Sequence, residues 1–284
     1  MRQSGHDSSR INVVDFKSDN SAKTLVCIHG LCCDSRIFNY FGRHMAKAGI
    51  NVISIDLPGH GMSGGEPGDP DFEQCLRAID ETVSGARARG KVYVLAHSIG
   101  CTFALWYAHK FRTSFDGLIL LAPYVRVKIK KRSEVEPSVS DFIYMILRRI
   151  TTPHSKVNVA KALRNYTRIG GREIAEMLKD VNLNFMYSYR YLVDTVAIRN
   201  SKTSQVSDIA VPLLILHGTK DKQVYPDVSN EFYKMAKSAD KTIRMFDCDH
   251  WFYDAIFYNQ DFPGYSEESR KEVLDTVSEW ISSR

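Results

Sequence analysis

From Ile11 to Val125, short apolar runs alternate with stretches whose apolar residues recur at helical spacing. Thr24–His29, Asn51–Ile55, Val92–Ala96 and Gly117–Leu121 are nearly continuously apolar, which predicts strands covered by helices on both faces. Ile11–Phe16 adds a strand at the edge, and helices are expected at Ser35–Ala48, Phe72–Arg89 and Ile99–Lys110. After Pro123 the pattern changes. Residues 124–207 have no comparable strand runs, and Asp141–Ile150, Lys156–Arg164 and Arg172–Asp180 have helical composition, so this stretch reads as an inserted helical cap. The strand pattern resumes at Val211–His217, followed by a helix at Val228–Ala239, a strand at Thr242–Phe246 and a last helix at Glu267–Ile281. The expectation is an α/β fold: a mostly parallel central sheet formed by residues 1–123 and 208–284, with helices on both faces and the cap at 124–207.

Composition narrows the class. The 284 residues are 44% hydrophobic and 25% charged, close to globular averages, which argues against a disordered or fibrous chain. Met1–Arg10 is polar, and no run approaches the roughly 18 to 20 apolar residues of a membrane helix, so neither secretion nor spanning is expected. The six cysteines do not have the spacing of a stapled scaffold and read as free thiols in a reducing, cytoplasmic setting. A net charge of +5 without a groove-reading motif gives no reason to expect a nucleic-acid partner.

The sharpest chemical signal is Ala96-His97-Ser98-Ile99-Gly100, where a predicted strand runs directly into a helix. A nucleophile elbow needs this tight turn, with small residues on either side of the serine, and the helix start directs its amides toward the hydroxyl. Ser98 also reads as an ordinary helix cap. The strand ending in His29-Gly30-Leu31 supplies a second loop, and the backbone N–H groups of Leu31 and Ile99 are the expected oxyanion donors. His29, Gly30, His97 and Trp251 are expected to border the substrate, although His29 reads first as a packing residue beneath its loop. Cys32 and Cys33 suit buried filler or the site entrance. Farther on, Asp221 follows one predicted strand and His250 follows the next, with Asp247, Asp249 and Asp254 as rival carboxylates. In this arrangement His250 takes the proton of Ser98 and Asp221 fixes the imidazole tautomer. Such chemistry needs no metal or organic cofactor.

Asp56-Leu57-Pro58-Gly59-His60-Gly61-Met62-Ser63 looks like the D-x-x-G-x-G-x-S loop of many α/β-hydrolases. Together with the elbow, the His-Gly loop and Asp249-His250, it resembles the monoacylglycerol lipase and lysophospholipase-like, S33-type branch of that superfamily. The resemblance covers Thr24–Pro123 and Val211–Ile281 and hardly touches the cap. Ala96 and Ile99 depart from the usual Gly-His-Ser-Met-Gly, at positions that lend no side chain to the reaction. The resemblance implies hydrolysis of a small acyl ester such as a monoacylglycerol. Thioesterase, lactonase, peptidase and non-catalytic receptor remain the competing readings. In the cap, Asp141–Leu147 and Asn184–Tyr187 suit either an acyl chain or a plain helical core, and Arg126–Arg132 suits either a peripheral membrane contact or a solvated edge.

Overall fold

The computed structural model describes residues 10–19, 21–111, 115–129, 137–160, 168–169, 172–173, 184–200, 208–252 and 267–284. Seven strands form the central sheet: β1 (Val13–Phe16), β2 (Lys23–Ile28), β3 (Asn51–Ile55), β4 (Lys91–His97), β5 (Gly117–Leu121), β10 (Leu213–Gly218) and β11 (Lys241–Phe246). Their order is β1-β3-β2-β4-β5-β10-β11, and only β1 runs antiparallel to its neighbour. The apolar runs are buried because successive side chains alternate between two cores. Val26, Ile28, Val94 and Leu120 face one, covered by helices α2 (Phe72–Arg87), α3 (Gly100–Lys110) and α6 (Pro226–Met235). Leu25, Cys27, Leu95 and Ile119 face the other, covered by α1 (Asn39–Lys47) and α7 (Glu267–Ser282).

The first helix differs from its prediction: Ser35–Phe38 is a 3-10 turn that precedes α1. Asp34 caps it, accepting from the Arg36 N–H, and the tighter winding aims the Ser35 N–H at Asp56 Oδ1, 2.6 Å away.

Between β5 and β10 lie helices α4 (Val139–Thr151) and α5 (Tyr189–Asn200) and the short strands β6 (Lys156–Asn158), β7 (Arg168–Ile169), β8 (Arg172–Glu173) and β9 (Met186–Ser188). Lys156–Asn158 is therefore a strand and not the start of a helix. It pairs antiparallel with β9, with Val157 opposite Tyr187, so a partner far along the chain overrides its local composition. Arg172–Glu173 likewise pairs with β7, and the rest of the helix expected to Asp180 lies outside the described residues, as do residues 161–164 and 130–132 of the basic run.

The segment between β5 and β10 is tied to the loop that follows β3. Asp69, buried there, accepts from Ser188 Oγ at 2.5 Å and Arg190 Nε at 2.9 Å and lies 2.6 Å from His154 Nδ1, while the Ser188 N–H donates to the Gly68 carbonyl. Asp56 at the other end of that loop is 2% exposed and accepts from the Ser35 N–H, the Met62 N–H and Asn12 Nδ2. Gly61 has φ +52°, and a Cβ there would collide with the Asp56 carboxylate, so both the dihedral and the close approach require glycine.

Asp56→Ala leaves the buried Ser35 N–H unsatisfied, at about 1 to 3 kcal/mol, and removes the acceptor of Met62 and Asn12. The expected result is a melting temperature lower by on the order of 10 °C in scanning calorimetry. A shift under about 2 °C would contradict the anchoring role of Asp56.

Candidate active site

The strand order reverses at β2, which has β3 on one side and β4 on the other, and the carboxyl ends of strands at such a reversal are where open α/β sheets place their sites. Parallel register places Ile28 beside Ala96, which brings His29-Gly30-Leu31 alongside His97-Ser98-Ile99. On the far side Gly218 pairs with Phe246, so the following loops, carrying Asp221 and His250, are neighbours too. The Thr219 N–H donates to the Phe246 carbonyl and the Lys220 N–H to the Cys248 carbonyl, lacing the two together.

Only Ser98 and Ile99 separate β4 from α3. Ser98 takes φ +54°, a left-handed conformation that costs a non-glycine residue about 1 to 3 kcal/mol. Three backbone bonds hold it there: its N–H donates to the Leu121 carbonyl at 2.9 Å, and its carbonyl accepts from the N–H groups of Cys101 and Tyr124. A Cβ on Gly100 would lie 2.5 Å from the His29 carbonyl oxygen, so α3 can sit this close to the end of β2 only with glycine in the motif. Ser98 is half-buried, whereas His97 and Ile99 on either side are buried.

The tautomer of His29 follows from its contacts. Nε2 accepts from the Leu57 N–H at 3.1 Å, so Nδ1 carries the proton and donates to the Gly30 carbonyl at 2.8 Å. In a trans peptide the N–H points opposite to the C=O, so anchoring the Gly30 carbonyl on His29 turns the Leu31 N–H away from His29. Among the described residues no acceptor takes the N–H of Leu31 or of Ile99. A Cβ on Gly30 would lie 3.3 Å from Ser98 Cβ, which measures how closely this loop adjoins the serine.

Asp221 is 2% exposed, and His250 is 3% exposed. His250 Nδ1 lies 2.6 Å from Asp221 Oδ2, and Asp221 Oδ1 accepts from the N–H groups of Gln223 and Val224 at 2.8 and 2.9 Å. A second histidine, His217, stands 3.2 Å from Oδ2 through Nε2. The same nitrogen donates to the Val224 carbonyl, so Nδ1 of His217 accepts from the Ser229 hydroxyl at 2.6 Å. Burial alone raises the carboxyl pKa, but the charge of His250 and the hydrogen bonds from His217 and His250 overcome it and hold Asp221 well below the usual carboxylate range. Sequence reasoning missed His217. Its only signal is its place at the end of a buried strand, four residues before Asp221.

The rival carboxylates are otherwise placed. Asp247 is exposed and pairs with Lys220 at 2.8 Å, Asp249 accepts from the Trp251 N–H, and Asp254 lies outside the described residues. His97 donates through Nε2 to the His250 carbonyl at 3.1 Å and packs its ring 4.6 Å from that of His250. Burial, then the neighbouring His250, push its pKa well below the ordinary histidine value, which keeps it neutral. Trp251 is buried against the rings of His97 and His250. The structure thus groups Gly30, His97 and Ser98, and joins His97 to His250, Trp251 and Asp221. Leu31 and Ile99 flank the serine through their backbone, and His29 lies beneath the loop with both ring nitrogens engaged by backbone. Cys32 and Cys33 are both buried.

Comparison with known proteins agrees with this architecture. A monoglyceride lipase homolog of monkeypox virus is 25% identical over 98% of this chain and 96% of its own length. An uncharacterized abhydrolase domain-containing protein of Dictyostelium discoideum is 24% identical over 92% of this chain, which spans only 26% of that protein. A soluble variant of monoglyceride lipase from Saccharomyces cerevisiae, solved in complex with a substrate analog, superimposes with a TM-score of 0.78 at 16% identity, covering 96% of this chain and 91% of that one. The fold is that of the α/β-hydrolases, and the model of the serine aminopeptidase S33 hydrolases matches residues 19–250. The chain belongs to the serine aminopeptidase S33 family.

Proposed function

We propose that this chain is a serine hydrolase that cleaves a carboxylic acyl ester. The observation that carries the reading is the buried 2.6 Å pair of His250 Nδ1 and Asp221 Oδ2, in loops beside a serine held in a left-handed turn. Asp221 accepts the Nδ1 proton and leaves Nε2 of His250 to act as base. Ser98 Oγ attacks the acyl carbon as its proton passes to Nε2, and the carbonyl oxygen, now negative, is held by the N–H groups of Leu31 and Ile99. Collapse breaks the bond to the alkoxy oxygen, which takes the proton from His250 and leaves as the alcohol. Water, deprotonated by His250, then attacks the acyl-enzyme, and the acid departs as Ser98 regains its proton. The two amides and the imidazole perform the polarisation and proton transfer between them.

An ester with an apolar chain is supported by α4. Val139, Ile143, Ile146, Leu147 and Ile150 form one stripe of this helix and are all exposed, Val139 by 79% and Ile150 by 73%. The helix is held from behind, where Arg149 bonds Asp194 and Arg148 lies over the Tyr189 ring. An apolar stripe directed away from its own domain suits contact with a lipid surface that holds the substrate. Among the described residues no helix is long and apolar enough to cross a membrane.

Asp221→Asn is expected to fold normally by circular dichroism and to lose about 10⁴-fold in kcat, because the amide permits the wrong imidazole tautomer. Turnover near that of the wild type would transfer the acid role elsewhere. In a panel of p-nitrophenyl esters, monoacylglycerols, acyl-CoA, lactones and aminoacyl amides, acyl esters should be preferred, with a definite optimum of chain length. In the same assay Ile143→Glu with Ile150→Glu should slow only the long-chain esters presented in vesicles. Preference for acyl-CoA or aminoacyl amides would replace the ester assignment, and unchanged vesicle activity would remove the lipid contact.

A further inference from the structure

The residue after the proposed oxyanion donor Leu31 is Cys32, which is buried and takes φ +61°. A left-handed conformation at a cysteine needs an outside partner to hold it. The partner is Tyr187, on β9 in the segment between β5 and β10: the Cys32 N–H donates to Tyr187 Oη at 2.9 Å. Burial drives the pKa of the Cys32 thiol up, an effect that the neighbouring Tyr187 phenol opposes.

Tyr187 is itself fixed on every side. It is fully buried, paired with Val157 in the β6–β9 ladder, stacked on Tyr191 at 5.4 Å and 5.7 Å from the His60 ring. His60 in turn lies 4.9 Å from His29, whose Nδ1 anchors the Gly30 carbonyl. The Gly30–Leu31 peptide is thus gripped from both ends, from the sheet by His29 and from the cap segment by Tyr187 through Cys32. Burial and neighbouring thiols push the Tyr187 pKa well above the ordinary phenol value, so the oxygen stays a neutral acceptor.

We propose that Tyr187 is a positioning residue for the oxyanion loop, by which the cap segment holds the Leu31 amide in its working orientation. The proposal rests on the serine-hydrolase reading given above. It predicts that the hydroxyl of Tyr187, which does not touch the reacting atoms, affects transition-state stabilisation and leaves ground-state binding alone.

The test compares Tyr187→Phe with wild type. Phenylalanine keeps the ring contacts with Tyr191 and His60 and leaves the buried Cys32 N–H without its acceptor. On a soluble p-nitrophenyl ester, kcat should fall about 10- to 100-fold with KM within about twofold, less than complete loss of an oxyanion donor. Inhibition by a trifluoromethyl ketone, whose serine adduct carries the oxyanion, should weaken by the same factor as kcat/KM. A purely structural Tyr187 would lower the melting temperature and leave both ratios unchanged, which overturns the proposal. Should the phenylalanine variant not fold, 2,3,5-trifluorotyrosine at position 187 keeps the shape while weakening the acceptor, and a smaller, parallel loss in kcat and ketone affinity is then expected; no loss overturns the proposal. Wild-type protein inert toward every ester would instead overturn the reading beneath it.

Discussion

A carboxylate buried to 2% exposure survives only if its charge is answered, and Asp221 answers it with four donors: two backbone N–H groups on Oδ1 and the histidines 250 and 217 around Oδ2. All the acceptor positions are used, so the group has neither room for a proton nor freedom to turn. That constraint propagates. A fixed Asp221 fixes the His250 ring, and His97, donating to the His250 carbonyl, fixes its backbone from the serine side. His217 and Ser229 extend the network backwards into α6, so the carboxylate is tied to the end of β10 and to that helix.

The same logic of borrowed rigidity governs the other half of the site. Ser98 is held in a left-handed turn by three backbone hydrogen bonds, and Gly100 allows α3 to approach the end of β2 closely, so that the two loops adjoin. Strain at Ser98 and at Cys32 is maintained by groups outside each turn, Leu121 and Tyr124 for one and Tyr187 for the other. The long loop after β3 connects these parts: Asp56 ties its start to Ser35, His60 packs between His29 and Tyr187, and Asp69 binds Ser188 and Arg190. A segment with no part in the proposed chemistry thereby joins the sheet to the stretch between β5 and β10.

Much of this was legible in the sequence. Parallel strands buried on both faces must be apolar throughout, so β3 and β5 are found to the residue and the other core strands within a residue or two of their ends. The contact of Asp221 with His250 was legible from strand ends, since adjacent parallel strands deliver their loops to one edge. What was not legible depends on partners distant in the chain. Nothing local marks Lys156–Asn158 as a strand, because its pairing with Met186–Ser188 is what makes it one. Tyr187 reads as one aromatic among several until the fold places its hydroxyl on the Cys32 amide. His217 ends an apolar strand and has no signature of its own before its ring is seen against Asp221.

The account depends on Ser98 being the activated hydroxyl of the chain. The most direct measurement is reaction of the folded protein with a fluorophosphonate, followed by peptide mass spectrometry to locate the adduct. A single adduct on Ser98, absent from Ser98→Ala and strongly slowed in His250→Gln, is the predicted result. No adduct on the folded wild-type protein, or one carried by another residue, would contradict it.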